Sequence, residues 1–268
     1  MNETELLFTD ILGCSRLELY LNKDKKIDND KLLFISSVLK RRIKAEPIQY
    51  ILGKTEFMGL EFKVTPDVLI PRQETEILVE TTIKYGYRLS VVGYRARILD
   101  LGTGSGCIAV SLAKLMRGVE ITATDISSKA IEIAEYNAGI NNVSEKIRFI
   151  NSDLFSGLGV YGGARYDIIV SNPPYIPFGE IDTLQAEIRY EPRAALDGGN
   201  DGLDIYRKLI KEAPVYLKEN GLLIMEIGFG QKSAIENIFR ESGEYEIIEV
   251  IKDYSDIERV IVAQFKKT

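Results

Sequence analysis

Histidine is absent from this 268-residue chain, and cysteine occurs only twice, as Cys14 and Cys107. Without imidazole, neither a Ser-His nor a Cys-His nucleophile is available, and no histidine metal triad can form. The two cysteines are far apart and lack metal-ligand spacing, so we expect neither a disulfide framework nor a metal site. Any chemistry of this chain must therefore proceed without imidazole.

Long apolar runs are also missing. No segment approaches the roughly 18 consecutive apolar residues that span a bilayer, and residues 1–5 contain neither the basic nor the apolar part of a secretory signal. We therefore expect a cytoplasmic protein that does not contact membranes. With 45% hydrophobic residues, the chain is long enough for one large core and a smaller satellite domain.

Positive charge is not concentrated on either half of the chain. Residues 1–90 contain as many acidic as basic residues, so the formal net charge of −6 lies on residues 91–268. The only basic cluster, Lys40-Arg41-Arg42 with Lys44, is better explained as a solvated helix surface than as a specific contact. Because a nucleic-acid enzyme needs a basic face to neutralise phosphates, we expect no direct contact with nucleic acid.

Hydrophobic periodicity divides the chain into three parts. Residues 1–50 show helical spacing and predict a small helical domain. Residues 51–90 predict a β-hairpin over 57–64, with Gly59 in its turn, followed by a linker helix. Residues 91–268 alternate strands and helices and end in two strands. This pattern predicts an α/β domain with a doubly wound sheet and a terminal antiparallel strand.

The segment Asn172-Pro173-Pro174-Tyr175, called here the proline corner, follows an apolar run over 166–171 that predicts a buried parallel strand. Two prolines fix φ at about −65° and remove two donors, which makes the turn stiff and leaves its carbonyls free. Ligands of open α/β sheets bind outside the C-terminal strand ends. The corner is therefore placed to bind a planar amide or amine, unless it is only a rigid strand-to-loop turn.

A glycine-rich turn, called here the glycine turn, follows the predicted strand that begins at Arg97 and precedes a predicted helix. It consists of Gly102, Thr103, Gly104, Ser105 and Gly106. Glycines in such a turn adopt positive φ or let a ligand approach the backbone. Asp100 beside it would repel a pyrophosphate and attract an ammonium group, which favours S-adenosylmethionine over a dinucleotide. The alternative is a turn that serves only strand-to-helix packing.

Two further acids follow neighbouring predicted strands. Asp125 can accept hydrogen bonds from both hydroxyls of an adenosine ribose; otherwise it caps the next helix, although Ser127 or Ser128 is available for that role. Asp153 can accept from an adenine amino group, with Leu154 or Phe155 covering the ring. An exposed loop aspartate is the alternative at position 153.

These motifs, in this order and spacing, resemble the class I S-adenosylmethionine-dependent methyltransferases that modify planar nitrogen. Residues 46–53, 56–60, 69–76 and 191–196 more closely resemble the HemK/PrmC family, protein-(glutamine) methyltransferases that act on peptide chain release factors. The resemblance runs from about residue 30 to the C-terminus. It implies a class I methyltransferase fold, S-adenosylmethionine as cofactor, release factors as partners and a substrate-recognition role for residues 1–50. The chain departs from the family at Gln73, where proline is usual, and at Leu154, where relatives can carry an aromatic residue.

The resemblance implies a division of roles among the motifs. The cofactor-binding residues are Asp100, Gly102, Thr103, Gly104, Ser105, Gly106, Asp125, Asp153, Leu154 and Asn172. Asn172 and Pro173 would each accept one N–H of the substrate amide, and Tyr175 would pack on the amide plane, with Pro174 completing the substrate-binding corner. We expect a monomer, because nothing in the sequence indicates an obligate dimer.

Two rival functions stay open at this point. An adenine-N6 methyltransferase acting on DNA or RNA would use the same asparagine and proline and would stack the base on Tyr175. The acidic second half and the absence of an inserted target domain after Tyr175 argue against it. A non-catalytic S-adenosylmethionine-binding module is the second rival, but such a module does not need an intact Asn-Pro-Pro-Tyr motif.

Overall fold

The computed structural model describes residues 3–22, 26–89, 95–159 and 165–266. The boundary predicted between residues 90 and 91 lies outside these residues, and the division into 1–50, 51–90 and 91–268 stays a prediction. The N-terminal part contains four helices: α1 (Glu3–Leu12), α2 (Arg16–Leu21), α3 (Asn29–Arg42) and α4 (Ile48–Leu52). Apolar residues of α1, α3 and α4 meet in a small cluster of Leu7, Val38, Ile48 and Ile51. The helical pattern predicted for this part is confirmed.

A β-hairpin follows, built from β1 (Lys54–Phe57) and β2 (Leu60–Lys63). Its turn residues, Met58 and Gly59, both have positive φ, 52° and 72°, as the short turns of twisted hairpins require. The predicted hairpin is confirmed, although its first strand begins at Lys54 rather than Phe57. The linker helix α5 (Gln73–Leu89) then leads towards the central sheet.

The central sheet has seven strands among the described residues. They are β3 (Ala96–Leu101), β4 (Val119–Asp125), β5 (Ile147–Asn151), β6 (Tyr166–Ser171), β7 (Leu217–Glu226), β8 (Tyr245–Lys252) and β9 (Glu258–Phe265). Their spatial order is β5-β4-β3-β6-β7-β9-β8. The first five run parallel, and β9 pairs antiparallel with both β7 and β8. The predicted doubly wound sheet with a terminal antiparallel strand is confirmed.

Helices cover both faces of this sheet. The remaining ones are α6 (Cys107–Leu115), α7 (Ser128–Ile140), α8 (Asp204–Glu212) and α9 (Lys232–Ser242). Neighbouring residues of β3 point to opposite faces, as strand geometry requires. Ile98 joins the apolar cluster under α5 and α6, while Leu99 joins the cluster under α8 and α9. The sheet is therefore buried on both sides, which explains why its strands are nearly continuous apolar runs.

The strand order reverses between β3 and β6. From β3 the chain moves outwards through β4 to β5, and then returns to place β6 on the other side of β3. Ligands of open α/β sheets bind at such a reversal, outside the carboxyl ends of the strands. The fold thus brings the ends of β3 and β6 together, where the glycine turn and the proline corner begin.

Short 3₁₀ segments over 178–195 connect the proline corner to α8 and contact the N-terminal helices. Arg42 forms ion pairs with Glu187 at 3.1 Å and with Glu3 at 2.9 Å, and Tyr190 donates to the carbonyl of Lys44 at 2.9 Å. The interpretation of the basic cluster as a solvated surface is therefore wrong for Arg42, which joins two parts of the molecule. In the described ranges, no helix is both long and apolar enough to cross a membrane.

Candidate active site

The four predicted motifs lie along one edge of the sheet. Leu101 of β3 is in register with Ser171 of β6 on one side and with Thr124 of β4 on the other. Asp125 is in register with Asn151 at the end of β5. Loops that follow these strands therefore leave the sheet side by side, in the order Asp153, Asp125, glycine turn, proline corner. The structure therefore places the four motifs at the same edge of the sheet.

The proline corner leaves a strand whose six residues are all buried. Ser171 closes the strand by donating to the carbonyl of Leu101 at 2.8 Å, which holds the start of the corner beside β3. Asn172 and Tyr175 are half-buried, while Pro173 is buried. No hydrogen bond from a described residue reaches the carbonyl of Pro173, so that oxygen keeps its accepting capacity.

The far end of the corner is held by residues distant in sequence. Gln231 donates from Nε2 to the carbonyl of Tyr175 at 2.9 Å and accepts from the N–H of Gly228 through Oε1 at 3.1 Å. A Cβ added at Gly202, whose φ is +74°, would lie 2.4 Å from the same carbonyl oxygen. The expectation that all carbonyls of the corner are free is thus wrong for Tyr175, because its oxygen is used to fix the corner.

The side chain of Asn172 is fixed through its nitrogen. Nδ2 donates to the hydroxyl of Thr75 at 3.0 Å, and that hydroxyl donates to Oε2 of Glu226 at 2.7 Å. Both Thr75 and Glu226 are 2% exposed. The amide of Asn172 therefore has a buried end, occupied by its nitrogen, and an opposite end that carries the oxygen.

Tyr175 presents a neutral ring at this edge. Its side chain packs against the apolar cluster under α8 and α9. Burial raises the pKa of Tyr175 to about 12, and the charge of Glu226 acts in the same direction. The phenol is therefore uncharged at neutral pH and can serve as an apolar surface for a planar group.

The three glycines of the glycine turn have different surroundings. All have positive φ: 73° at Gly102, 55° at Gly104 and 80° at Gly106. A Cβ at Gly106 would lie 3.0 Å from the Cβ of Ala134, so this glycine serves the packing of α6 against α7. A Cβ at Gly102 or Gly104 would meet nothing within 4 Å. Packing thus accounts for Gly106 but leaves Gly102 and Gly104 beside open space.

Asp100 is completely buried at the base of this turn. Its Oδ2 accepts from the hydroxyl of Thr103 at 2.6 Å, whereas Oδ1 makes no hydrogen bond of normal geometry with the described residues. Burial raises the pKa of Asp100 to about 7, against the opposing effects of the Thr103 hydroxyl and the Ala109 N–H. A buried oxygen without a partner is costly, which indicates that Asp100 is arranged to meet a donor.

Asp125 bridges β4 and the glycine turn. Its Oδ2 accepts from the N–H of Gly104 at 2.8 Å, and its Oδ1 accepts from the N–H of Ser127 at 2.9 Å. The hydroxyl of Ser127 caps α7 by accepting from Ala130, so the cap is the residue that the sequence proposed for that role. Burial raises the pKa of Asp125, and the two N–H groups oppose this shift. Each oxygen keeps a second lone pair for a ligand hydroxyl.

Asp153 and Leu154 follow β5. Asp153 is exposed. Leu154 adopts φ +47°, an uncommon left-handed conformation for a residue with a branched side chain. Its carbonyl accepts from the hydroxyls of Thr124 at 3.3 Å and Ser152 at 3.0 Å, which holds this conformation. Phe155 is buried and stacks on Tyr216, so of the two candidates for the adenine face Leu154 is the more accessible.

Two family profiles match the chain, one described as “Methyltransferase small domain” over residues 75–189 and one as “PrmC N-terminal domain” over residues 1–53. The release factor glutamine methyltransferase of Geobacter sulfurreducens is 43% identical, covering 97% of this chain and 87% of that protein. The chain belongs to the release factor glutamine methyltransferase family. The release factor glutamine methyltransferase of Thermodesulfovibrio yellowstonii is 40% identical, and the match covers 100% of this chain and 94% of that protein. The resemblance to the HemK/PrmC family is therefore confirmed.

Solved structures agree on the fold. The N-terminal domain of human METTL16 in complex with SAH superposes with a TM-score of 0.57 at 19% identity, covering 78% of this chain and 77% of that one. At 19% identity, this likeness establishes only that the chain has the class I methyltransferase fold.

Two departures from the family pattern have simple structural settings. Gln73 is the first residue of α5 and is exposed. Proline is favoured at that helical position because its missing N–H would be unpaired there anyway, so glutamine changes little. Leu154 keeps an apolar side chain at the position where relatives can carry an aromatic ring.

Three residues of the site were not assigned roles from the sequence: Thr75, Glu226 and Gln231. Thr75 lies in segment 69–76, which carried the family resemblance, but spacing along the chain cannot show that the three residues converge on the proline corner. No group of three or more acidic, cysteine or histidine side chains in the described part of the chain is arranged to hold a metal ion.

Proposed function

We propose that this chain transfers a methyl group from S-adenosylmethionine to the side-chain amide nitrogen of the glutamine in the Gly-Gly-Gln loop of class 1 peptide chain release factors. The observation that carries the proposal is the fixed amide of Asn172 at the end of β6, beside the glycine turn that follows β3. Family membership supports the substrate. The proposed place of action is the cytoplasm, and the proposed working form is a monomer.

The residues around the glycine turn fit S-adenosylmethionine. Oδ1 of Asp100 is a buried acceptor that makes no hydrogen bond of normal geometry with the described residues, and it suits the ammonium group of the methionine part. A cation beside Asp100 would lower its raised pKa and keep the carboxylate charged. Gly102 and Gly104 offer backbone with open space beside it. When bound, the cofactor supplies a methyl carbon attached to a positively charged sulfur.

The adenosine part is assigned to the next two strand ends. Asp125 would accept from the ribose hydroxyls through the lone pairs not used by Gly104 and Ser127. Asp153 would accept from the adenine amino group, and Leu154 would cover one face of the ring. Because Asp125 also holds the glycine turn, cofactor binding and the shape of the turn are linked through one carboxylate.

The corner residues act on the substrate amide. A glutamine nitrogen is a poor nucleophile because its lone pair is delocalised into the carbonyl. In the proposed arrangement, Oδ1 of Asn172 and the carbonyl of Pro173 each accept one N–H, which fixes the nitrogen and directs its lone pair towards the methyl carbon. These hydrogen bonds strengthen as positive charge develops on nitrogen, so they stabilise the transition state more than the bound substrate.

Tyr175 and Pro174 complete the substrate side of the site. The neutral ring of Tyr175 would pack on the amide plane and exclude water, while Pro174 keeps the corner stiff. No strong base is required, because the nitrogen's proton becomes acidic only after methyl transfer and can then leave to water. This agrees with a chain that has no histidine.

Adenine-N6 methylation, in which adenine would offer the same planar nitrogen to the same acceptors, is not favoured. The identity of 43% to a release factor glutamine methyltransferase along 97% of the chain favours the protein substrate.

The experiment is methyl transfer from labelled S-adenosylmethionine to three acceptors. These are a release factor, the same factor with the loop glutamine replaced by alanine, and bulk DNA and RNA. We expect label on the unaltered release factor alone. Label on nucleic acid, or equal label on both release factors, contradicts the proposed function.

A further inference from the structure

A chain of three hydrogen-bonded side chains runs behind the proline corner. It begins at Nδ2 of Asn172, continues through the hydroxyl of Thr75 and ends at the carboxylate of Glu226. Thr75 belongs to the first turn of α5, whereas Glu226 is the last residue of β7. This hydrogen-bonded network therefore joins three elements that are far apart in sequence. The proposed function gives no role to Thr75 or Glu226.

The direction of the hydrogen bonds decides which end of the Asn172 amide faces outwards. Above a pH of about 7 the carboxylate of Glu226 is ionised and only accepts, so Thr75 must give its single hydroxyl proton to Glu226. The hydroxyl oxygen then has only lone pairs left, and only the nitrogen of Asn172 can pair with it. A rotation of the amide by about 180° would set two acceptors, the Asn172 oxygen and the Thr75 hydroxyl oxygen, against each other. The Asn172 oxygen is thereby directed away from Thr75.

Burying a carboxylate merely to hold two elements together is costly, and an apolar contact does the same at lower cost. Burial raises the pKa of Glu226 to about 7, while the Thr75 hydroxyl, the charge of Arg259 and the amide of Asn172 oppose this shift. The carboxylate is therefore kept in a place where its charge is disfavoured, at 2.7 Å from the Thr75 hydroxyl.

We propose that Thr75 and Glu226 are positioning residues that fix the orientation of the Asn172 amide and so present its oxygen to the substrate nitrogen. This inference rests on the proposed function, because it assigns a role within the same site. Their proposed role affects turnover and not cofactor binding, since neither side chain is among the proposed cofactor-binding residues.

The test compares Thr75→Val with Thr75→Ser. Valine keeps the shape of threonine but removes the hydroxyl, whereas serine keeps the hydroxyl. At about pH 8, where Glu226 is ionised, we expect Thr75→Val to lower kcat for release factor methylation by about 10²-fold, the scale of a misplaced reacting group. The dissociation constant for S-adenosylmethionine should stay within about threefold of the unaltered chain, and Thr75→Ser should recover most of the turnover.

Thr82→Val is the matched control. Thr82 is a second fully buried threonine of α5, and its hydroxyl donates only within the helix, to the carbonyl of Leu78 at 2.8 Å. Its replacement should leave kcat within about threefold. A kcat that falls equally in the two valine variants would assign the effect to loss of helix stability and overturn the proposal.

Glu226→Leu gives a second, independent test that is decisive if Thr75→Val does not fold. Leucine removes the acceptor that commits the Thr75 proton, so the hydroxyl becomes free to donate to the Asn172 oxygen and the amide can rotate. We expect kcat to fall by at least about 30-fold while cofactor affinity persists. An unchanged kcat in Glu226→Leu, or a Thr75→Val variant altered only in KM, would overturn the inference. If the unaltered chain does not label the release factor, it is the proposed function that fails.

Discussion

The glycine turn and the proline corner lie side by side at the carboxyl edge of the sheet, but they are held in different ways. The glycine turn is held by residues of its own strand and of the next one, through Asp100, Asp125 and the positive φ values of its glycines. The proline corner depends on Thr75 from α5, Glu226 from β7 and Gln231 beside α9. The proposed cofactor side is thus a local structure, whereas the proposed substrate side depends on contacts from three distant parts of the chain.

Because of this difference, substitutions on the two sides should affect different properties of the enzyme. A change on the cofactor side should alter cofactor affinity and leave the chemistry of bound substrate intact. Changes around the proline corner should alter turnover, or stability through distant contacts, and leave cofactor affinity intact. The predictions below test this separation.

The largest effect is expected for Asn172→Ala. Loss of the amide removes an acceptor whose hydrogen bond strengthens in the transition state, so we expect kcat to fall by about 10³-fold. Cofactor affinity, measured by calorimetry, should change by less than about fivefold. Comparable losses in both quantities would show that the two sides are not separable at Asn172.

Gly202→Ala should come next, because the new Cβ would lie 2.4 Å from the Tyr175 carbonyl oxygen and 2.8 Å from Nε2 of Gln231. We expect a loss of about 3 kcal/mol or more in the free energy of unfolding, together with reduced turnover. Denaturant titration measures the first quantity.

Gly230→Ala is the matched control for that loss. Gly230 has a similar φ, +76°, but a Cβ there would meet nothing within 4 Å. It should cost only the backbone penalty of about 1–2 kcal/mol. Equal losses in the two alanine variants would mean that the close approach to the corner is not what requires Gly202.

Asp125→Ala tests the cofactor side. The ribose hydroxyls would lose charge-assisted hydrogen bonds, which should weaken cofactor binding by about 2 kcal/mol, or about 30-fold in the dissociation constant. The kcat at saturating cofactor should change little. A weakening of less than about tenfold would limit Asp125 to its structural hydrogen bonds with Gly104 and Ser127.

The smallest effect concerns pH and the buried Glu226. Its ordinary pKa of 4.5 is raised by burial to about 7, so the folded chain holds a proton that the unfolded chain has lost. The stability from this proton is fully present below about pH 4.5 and is lost as the pH rises to about 7. Between about pH 5 and about pH 7.5, the free energy of unfolding of the unaltered protein should fall by about 1–2 kcal/mol more than that of the Glu226→Gln variant. Identical pH slopes in both chains would contradict the raised pKa.

The strand, turn and helix around the glycine turn could be predicted from the sequence almost completely, whereas the cofactor contacts of these residues stay a prediction. Strand, turn and helix follow each other within a few residues there, so Asp100, the glycine turn and Asp125 appear as one local pattern. The sequence also indicated that Ser127 or Ser128, rather than Asp125, caps α7, and Ser127 is the cap. The hydrogen bond from Gly104 to Asp125 was not predictable, because it depends on the register of β3 and β4.

The proline corner could be predicted only in part. The motif itself is visible, and so is the buried strand before it, because both are continuous in sequence. Its fixation by Thr75, Glu226 and Gln231 depends on the packing of α5, β7 and the loop before α9 around the same point. Hydrophobic periodicity predicts which segments form helices and strands, but it does not predict the contacts between their polar side chains.

The most direct test of the account is the structure of this chain with a Gly-Gly-Gln peptide and the demethylated cofactor product. The account predicts the glutamine nitrogen at about 3 Å from both the Asn172 oxygen and the Pro173 carbonyl, with the Asn172 nitrogen still on Thr75. A glutamine nitrogen bound elsewhere, or an Asn172 oxygen turned towards Thr75, would contradict it.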